Sequence, residues 1–320
     1  MIHRFTTESE WLTYRHDPDA IRIGASEVAT ILGYGFQSPL ELWAVKRGVS
    51  IPVDAKTQAM FRQGHEDEAP LAAWFQNETG IELIDLGPHT VIQRDPQSWA
   101  FCTPDRVILE DGKFIPVELK SVPFGDRSEW QDGAPVKYWI QLQWQMFCMG
   151  AKRGYIAART CPEVYHEYEY DAKFIADILP RIEHFRDLVR NGVPPTPDGS
   201  ESAGRAIKAL HPSDNGEVVD LPDFAALAGE LESLKERAKL ATTEYDKAKQ
   251  SLELAIGDAT FARCGDKCFS RKTQSRKGTI TVPMGYAKAL QISNIKHTIT
   301  DGSTYRVLRE IKQLPKEIEE

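Results

Sequence analysis

The sequence predicts an α/β (α+β) protein whose C-terminal part is a long helix followed by a small β region. Strand and helix patterns alternate through residues 8–190, and the clearest strand pattern is a hairpin at Thr103–Ser121. Apolar residues then recur with alternating spacings of three and four between Phe224 and Ala255, which is a heptad repeat. A proline-rich run that starts at Val193 separates the two parts. We therefore expect a domain over residues 1–195, a linker over 196–222 and a C-terminal domain over 223–320.

The first helices are predicted from their start and stop signals. Ser26 is a favourable N-cap for a short helix that ends at Gly33. A helix N-terminus with a hydroxyl group and a nearby arginine, either Arg15 or Arg22, is a suitable phosphate site. An ordinary capped helix is the alternative interpretation.

A long amphipathic helix is predicted over residues 56–79, with Gly80 as its end. Most of its acidic residues fit a solvated face. We select Glu68 as the exception, because it lies three residues before Leu71 and seven before Phe75, on the buried side. A carboxylate that faces the core needs a partner, and a metal ion is one such partner.

The Thr103–Ser121 hairpin carries three charges at one end. Asp111-Gly112 is a strong turn signal, and Glu118 and Lys120 share one face of the second strand by the period of two. Asp105 lies near enough to opposite Glu118 for the two carboxylates to converge, which favours a bound cation. Ordinary cross-strand charges on a solvated hairpin are the alternative for so short a pattern.

A helix over Lys137–Met149 follows the hairpin and is apolar on almost all sides, which is typical of a buried helix. Its glutamines, Gln141, Gln143 and Gln145, therefore need polar partners, and the charges of the hairpin are the nearest candidates. The remaining elements of this part of the chain are two strands and a helix, at residues 154–159, 165–170 and 172–190.

The C-terminal part combines the heptad helix with a basic segment of β character. The helix is a coiled-coil arm or one half of a helical hairpin. Residues 263–277 contain one acidic residue, Asp266. The basic tract of this segment consists of Arg263, Lys267, Arg271, Lys272, Arg276 and Lys277. This tract is either a surface for DNA or another partner, or a solvated strand face.

Composition and charge exclude several classes of protein. The chain is 41% hydrophobic and 27% charged, and no apolar run approaches the roughly 20 residues of a membrane span. Residues 1–204 carry 20 basic and 30 acidic side chains, a net charge of −10, whereas residues 205–320 carry 19 and 17, a net charge of +2. The overall charge of −8 argues against indiscriminate coating of nucleic acid. The first residues lack the apolar core of a signal peptide, so we expect a cytoplasmic protein.

The order of several motifs resembles the YqaJ-type viral recombinase (lambda-exonuclease-like) family of the PD-(D/E)xK nuclease superfamily. The resemblance covers about residues 8–195. It is carried by Trp11 with Arg15, Ile23-Gly24-Ala25-Ser26-Glu27, Ser38–Trp43, Gly64–Glu68 followed by Gly80, Thr103-Pro104-Asp105, Glu118-Leu119-Lys120 and Ile140–Gln143. The segment 17–20 departs from the family pattern as an insertion, so the resemblance does not decide between Arg15 and Arg22.

The resemblance implies a restriction-endonuclease-like core with a mixed central sheet flanked by helices. It also implies metal-dependent, ATP-independent cleavage of double-stranded DNA from a 5′ end, which leaves a 3′ single strand for an annealing protein. For this chemistry, Asp105 and Glu118 hold one or two Mg²⁺ or Mn²⁺ ions, with Glu68 as a direct or water-mediated ligand.

The same resemblance gives roles to the other polar residues. Lys120 orients the attacking water and stabilises the transition state, and Gln141 or Gln143 positions Lys120 or that water. Ser26, with Arg15 or Arg22, grips the terminal 5′-phosphate.

The resemblance implies three kinds of partner: double-stranded DNA ends, a single-strand annealing protein and further copies of the chain in a ring-like trimer within the host cytoplasm. The heptad helix is expected to dock within the protomer, mediate self-association or bind the annealing partner. Two alternatives stay open. One is a structure-specific or Cas4-like nuclease of the same superfamily without an iron–sulfur cluster, because the cysteine quartet is missing. The other is a non-catalytic DNA-binding recombination scaffold.

Overall fold

The computed structural model describes residues 1–130, 132–276 and 303–311, and the chain divides into two compact units, Met1–Gly216 and Glu217–Glu320. The helices of the first unit are α1 (Glu8–Arg15), α2 (Ala25–Ile31), α3 (Pro39–Lys46), α4 (Ala55–Thr79), α5 (Val136–Met149), α6 (Ala172–Asn191) and α7 (Glu201–Leu210). Its strands are β1 (Ile2–Arg4), β2 (Ile23–Gly24), β3 (Thr90–Gln93), β4 (Ala100–Cys102), β5 (Arg106–Glu110), β6 (Lys113–Ser121), β7 (Arg153–Arg159) and β8 (Val164–Glu169).

These strands form two four-stranded sheets. The smaller sheet has the order β1-β3-β4-β2, and the larger has the order β5-β6-β7-β8. In the larger sheet, β5 and β8 are antiparallel to their neighbours, whereas β6 and β7 are parallel. A parallel pair needs a crossover connection, and α5 lies in the segment that joins β6 to β7.

Helices cover both faces of the larger sheet. Val117 and Leu119 of β6 belong to the same buried cluster as Phe75 of α4. On the opposite face, Ile156 of β7 packs with Leu142 of α5. The expected α/β (α+β) class, with a mixed sheet flanked by helices, is therefore confirmed.

The first unit extends beyond the expected domain boundary at residue 195. The segment 196–222, which we expected to be a linker, contains α7, and Ala203 and Ala206 of this helix are buried. The Ser202 hydroxyl donates a hydrogen bond of 2.7 Å to Glu41 Oε2 on α3. These nonlocal contacts hold α7 in the first unit, which reaches Gly216.

The second unit contains α8 (Ala225–Ile256) and the antiparallel strands β9 (Phe261–Cys264), β10 (Lys267–Arg276) and β11 (Ser303–Ile311), in the order β11-β10-β9. The heptad segment is a helix, as expected, and its seam is open: Leu227, Leu231 and Tyr245 are each more than half exposed. Lys277 of the basic tract lies outside the described residues. Along the described part of the chain, no helix combines the length and the apolar content that crossing a membrane requires.

Candidate active site

The Thr103–Ser121 hairpin brings two carboxylates to opposite positions. Asp111 and Gly112 both have positive φ, 48° and 72°, which is the backbone of a type I′ turn. This turn fixes the register of β5 and β6. As a result Asp105, which directly precedes β5, lies across from Glu118 of β6.

Asp105 is unfavourable in its charged form. Removal from water raises the pKa of this carboxyl group well above its usual range, and the neighbouring Glu118 carboxylate raises it further. The charge of Lys120 and a 2.7 Å hydrogen bond from the Leu119 N–H oppose this effect and do not cancel it. Ionised Asp105 therefore needs more positive charge than the described side chains supply.

Glu118 is buried and accepts hydrogen bonds from three side chains. Gln141 Nε2 lies 2.6 Å from Oε1, and Gln145 Nε2 lies 2.5 Å from Oε2. The ammonium group of Lys120 also donates to Oε1. Three donors offset the cost of removing this carboxylate from water.

Lys120 is a fixed positive charge in this cluster. Burial lowers the pKa of its ammonium group, but the attraction of the Glu118 and Asp105 carboxylates is larger in sum, so the pKa is raised. The Lys120 Nζ atom lies 5.1 Å from the centroid of the Tyr138 ring. Lys120 is therefore the positive charge that lies beside the two carboxylates.

The structure brings Gln141 to Glu118 but does not bring Gln143 there. Gln143 Nε2 donates to the Glu169 carbonyl oxygen, and its Oε1 accepts from the Asp171 N–H, both at 2.8 Å. Gln143 therefore joins α5 to the end of β8 and the start of α6, and its expected role at the site is corrected.

Gln145 is a further residue of the site. We expected it, with Gln141 and Gln143, to need a polar partner but gave it no role in catalysis. It lies four residues after Gln141, so the two side chains share one face of α5, whereas Gln143 points to the other side. This spacing was the available signal. Gln145 is fully buried, and its Oε1 has no hydrogen-bond partner among the described residues.

Glu68 lies beside the cluster and contacts other groups. Its Oε1 is 2.9 Å from His65 Nδ1, and its Oε2 is 4.0 Å from Arg106 Nη1. The charge of Glu68 also contributes to the raised pKa of Asp105, which places the two carboxylates within electrostatic reach of each other.

The acid of α4 that faces the sheet is Asp67 rather than Glu68. Asp67 is buried, and its carboxylate accepts hydrogen bonds from the Ser121 hydroxyl at 2.5 Å and from Arg159. Glu68 is 28% exposed, so its expected place on the buried side of the helix is corrected. Asp67 and Leu71 are four residues apart and therefore lie on the same face of α4, the face that packs on β6.

The facing carboxylates fit a hard divalent cation. Within the described residues, no three His, Cys, Asp or Glu side chains are arranged to hold a metal ion. Asp105 and Glu118 nevertheless offer oxygen ligands, and their repulsion is visible in the raised pKa of Asp105. A cation between them would reduce this repulsion, and Glu68 is a further carboxylate whose charge reaches Asp105.

The structure also distinguishes between the two candidate phosphate-binding arginines. Arg15 Nη2 lies 3.2 Å from Ser26 Oγ, and Ser26 is exposed. Arg22 instead donates to Asp17 Oδ2 at 2.9 Å and stacks on the Tyr14 ring, with its guanidinium carbon 3.9 Å from the ring centroid. Only Arg15 is therefore brought to Ser26.

Ser26 is not the N-cap that we expected. Helix α2 begins at Ala25 and is capped by Gly24, whose N–H donates to Glu27 Oε2 at 2.9 Å. The Ser26 hydroxyl thus lies within the first turn of α2 and faces outward beside Arg15.

A buried ion pair behind Ser26 holds Arg15 in place. Glu27 Oε2 lies 2.9 Å from Lys46 Nζ, and Glu27 Oε1 lies 3.2 Å from Arg15 Nη2. Burial alone raises the pKa of Glu27, but Lys46 and Arg15 outweigh burial and lower it to about 2. This ion pair was not predicted from the sequence, because it joins residues of two different helices.

A known domain family matches the part of the chain that contains Arg15, Ser26, Glu68, Asp105, Glu118, Lys120 and Gln141. Residues 10–152 match the YqaJ-like viral recombinase domain. An alkaline exonuclease (LHK-Exo) from Laribacter hongkongensis is similar in structure, with 20% identity, a TM-score of 0.46, and coverage of 63% of this chain and 100% of that chain. The structure of LHK-Exo in complex with dAMP gives 21% identity, the same TM-score of 0.46 and the same coverage of 63% and 100%. No curated protein matches the chain.

We expect Glu27 to stabilise the fold in a pH-dependent way. Its pKa of about 2 in the folded chain lies below its ordinary value of 4.5, so the ionised group contributes stability above pH 4.5 that is lost as the pH falls toward 2. The contribution at neutral pH is about 3 kcal/mol. Urea unfolding of the wild type and Glu27→Gln at pH 7 and pH 3 measures it: the difference in unfolding free energy shrinks at pH 3.

The matched control is the double variant Glu27→Gln/Lys46→Met, which removes both buried charges. It should be more stable at pH 7 than Glu27→Gln alone, because the single variant leaves Lys46 buried without its carboxylate. Equal pH dependence for the wild type and Glu27→Gln would contradict the assignment.

Proposed function

We propose that this chain, whose residues 10–152 match the YqaJ-like viral recombinase domain, is a metal-dependent exonuclease that digests one strand of double-stranded DNA from its 5′ end. One observation carries the proposal: Asp105, Glu118 and Lys120 meet at the end of one hairpin. Two carboxylates and a lysine are suited to phosphodiester hydrolysis with a divalent cation. Digestion from the 5′ end leaves a 3′ single strand, the substrate of an annealing protein in phage-type recombination.

Asp105 and Glu118 are the residues that would hold Mg²⁺ or Mn²⁺, one or two ions per site, with Glu68 binding directly or through water. Oxygen ligands favour these hard cations over zinc. When bound, the cation offsets charge at the scissile phosphate and lowers the pKa of a bound water molecule. The protein's part is to orient the Glu118 carboxyl group, which the hydrogen bonds from Gln141 and Gln145 accomplish.

Lys120 supplies the positive charge at the reacting phosphate. Its raised pKa keeps it protonated, so it stabilises the negative charge that develops in the transition state and orients the attacking water. Gln141 acts through Glu118 as a positioning residue, because its amide donates to the same oxygen as Lys120.

Arg15 and Ser26 are the pair that would bind the terminal 5′-phosphate. Arg15 Nη2 lies 3.2 Å from Ser26 Oγ. The planar guanidinium group of arginine can donate two parallel hydrogen bonds, which suits a phosphate group. Glu27 fixes the orientation of Arg15 without neutralising this surface, because Lys46 balances the Glu27 charge.

The open seam of α8 is the surface through which copies of the chain would associate, as in a trimer. Leu231 and Leu234 are 67% and 45% exposed, and a heptad seam buries such residues against another helix. The annealing protein remains a second proposed partner, for the 3′ strand that the reaction produces.

Two substitutions in the cluster should slow digestion strongly, for different physical reasons. Asp105→Asn removes a proposed metal ligand, so we expect digestion to be slower by about a hundredfold or more. The same substitution relieves the repulsion between Asp105 and Glu118, so the midpoint of thermal unfolding should be unchanged or higher. Lys120→Met should slow digestion by roughly 100- to 1,000-fold. Release of nucleotides from a linear duplex, with Mg²⁺ and with EDTA, measures both effects.

Gln143→Leu serves as the contrast within the same helix, because its amide bonds lie at the β8–α6 junction and its substitution acts on stability. Undiminished digestion by Asp105→Asn or Lys120→Met, or by the wild type in EDTA, would overturn the proposed site.

Recognition of the DNA end should depend on Arg15 and not on Arg22. We expect Arg15→Met to reduce the preference for a 5′-phosphorylated end over a 5′-hydroxyl end by roughly 10- to 100-fold, the value of a charge-assisted hydrogen bond. Arg22→Met should keep the preference, because Arg22 pairs with Asp17. The ratio of digestion rates on the two duplexes is the measurement, and equal loss in both variants would refute the assignment.

Substitutions that place charged side chains in the heptad seam of the full chain test whether copies associate through α8. The variant Leu231→Glu/Leu234→Glu should lower the mass measured by light scattering, because buried carboxylates oppose packing between helices. Leu240→Glu is the matched control, since Leu240 is 63% exposed and lies outside the heptad seam. An unchanged mass in the seam variant would show that the oligomer uses another surface.

A further inference from the structure

The loop between α2 and α3 presents two aromatic side chains to solvent. Phe36 is 73% exposed and Tyr34 is 54% exposed. The backbone between them is held tightly: a Cβ atom on Gly35 would lie 2.2 Å from Thr30 Oγ1 and 2.7 Å from Thr30 Cα. The Tyr34 N–H also donates to the Ala29 carbonyl oxygen at 2.8 Å. The loop is thus anchored to α2, while both aromatic side chains remain more than half exposed.

Phe36 lies next to the candidate active site. Its ring centroid is 6.4 Å from that of Tyr138, and Lys120 Nζ lies 5.1 Å from the centroid of Tyr138. Lys137 Nζ lies 4.1 Å from the Phe36 centroid. A continuous surface therefore runs from the Lys120 ammonium group over Tyr138 to an exposed aromatic ring with a cation beside it.

An exposed ring beside cations, at the edge of a phosphodiester site, suits an unpaired nucleobase. Aromatic side chains bind single-stranded nucleic acid by stacking on base faces, while adjacent cations contact the backbone phosphates. Inside a duplex both faces of each base are covered by the neighbouring base pairs, so a base from the duplex interior can stack on Phe36 only after its strand has separated. The other end of α2, which is seven residues or about 10 Å long, carries Ser26 of the proposed phosphate site.

We propose that Phe36, with Tyr34, is a stacking subsite for unpaired bases of the DNA strand that enters the active site, and that Lys137 contacts the adjoining phosphate. The proposal rests on the proposed nuclease function and deepens it. It assigns to the α2–α3 loop the task of holding the strand after its bases have separated from the complement.

Binding of a fluorescent oligonucleotide tests the subsite apart from catalysis. The probe is a 5′-phosphorylated single strand with 2-aminopurine near its 5′ end, titrated with the full chain in EDTA so that cleavage does not interfere. We expect Phe36→Ala to weaken binding about tenfold and to reduce the fluorescence quenching that stacking causes. Phe36→Trp should restore both, and Leu109→Ala, another exposed apolar position at 54%, should leave both unchanged.

The outcomes separate this proposal from the proposed function. If the wild type digests duplex DNA, and wild type, Phe36→Ala and Phe36→Trp bind the probe equally, the stacking subsite is overturned while the nuclease function stands; the aromatic loop then belongs to a protein partner. If the wild type does not digest duplex DNA, the nuclease function fails whatever the probe shows. Loss of quenching in Phe36→Ala with rescue by Phe36→Trp supports the subsite.

Discussion

The candidate site depends on the Glu118 carboxylate, which is buried in the protein interior and accepts hydrogen bonds from three side chains. Glu118 lies on the second strand of a mixed sheet that helices cover on both faces, so its polar partners must come from the protein. Strand β6 itself supplies Lys120, and α5 supplies Gln141 and Gln145 from successive turns. These contacts fix the rotation of α5 about its own axis, which apolar packing alone specifies less strictly.

Local signals were sufficient to predict the elements that build this arrangement. The Asp111-Gly112 turn fixes the hairpin register because its two residues adopt positive φ, and the register alone places Asp105 across from Glu118. Helix α4 was predicted within one residue at its start, and its end at Gly80 was correct, because Gly80 adopts the left-handed conformation that ends helices. Such features depend on neighbours in sequence and are readable from it.

Side-chain direction was harder to predict, because it depends on how elements pack. Gln143 is as buried as Gln145, and only the position of α5 against β6 decides which of them reaches Glu118. The same limit explains the choice of Glu68 over Asp67 on α4. Helix α7 was missed for a related reason: its burial depends on contacts between Ser202 and Glu41, which lie far apart in the sequence.

The segment 17–20, which we interpreted as an insertion relative to the family pattern, forms its own local contacts. Asp17, at the start of this segment, accepts a hydrogen bond from Arg22 and also from the N–H groups of Asp19 and Ala20. The segment thus carries its own counter-charge and engages Arg22 locally. Arg15 is therefore free of Asp17 and contacts Ser26 and Glu27 instead. The sequence alone did not decide between Arg15 and Arg22 as the partner of Ser26.

The buried carboxyl groups of Glu27 and Asp105 show opposite pKa shifts, because the charges around them differ. Desolvation raises the pKa of both. Around Glu27, Lys46 and Arg15 supply more positive charge than one carboxylate needs, so its pKa is lowered and its charge stabilises the fold. Around Asp105, a second carboxylate outweighs the single Lys120, so ionisation is opposed. A carboxylate held in this state gains stability when a cation arrives, which is the property that a metal-binding residue requires and a structural one does not.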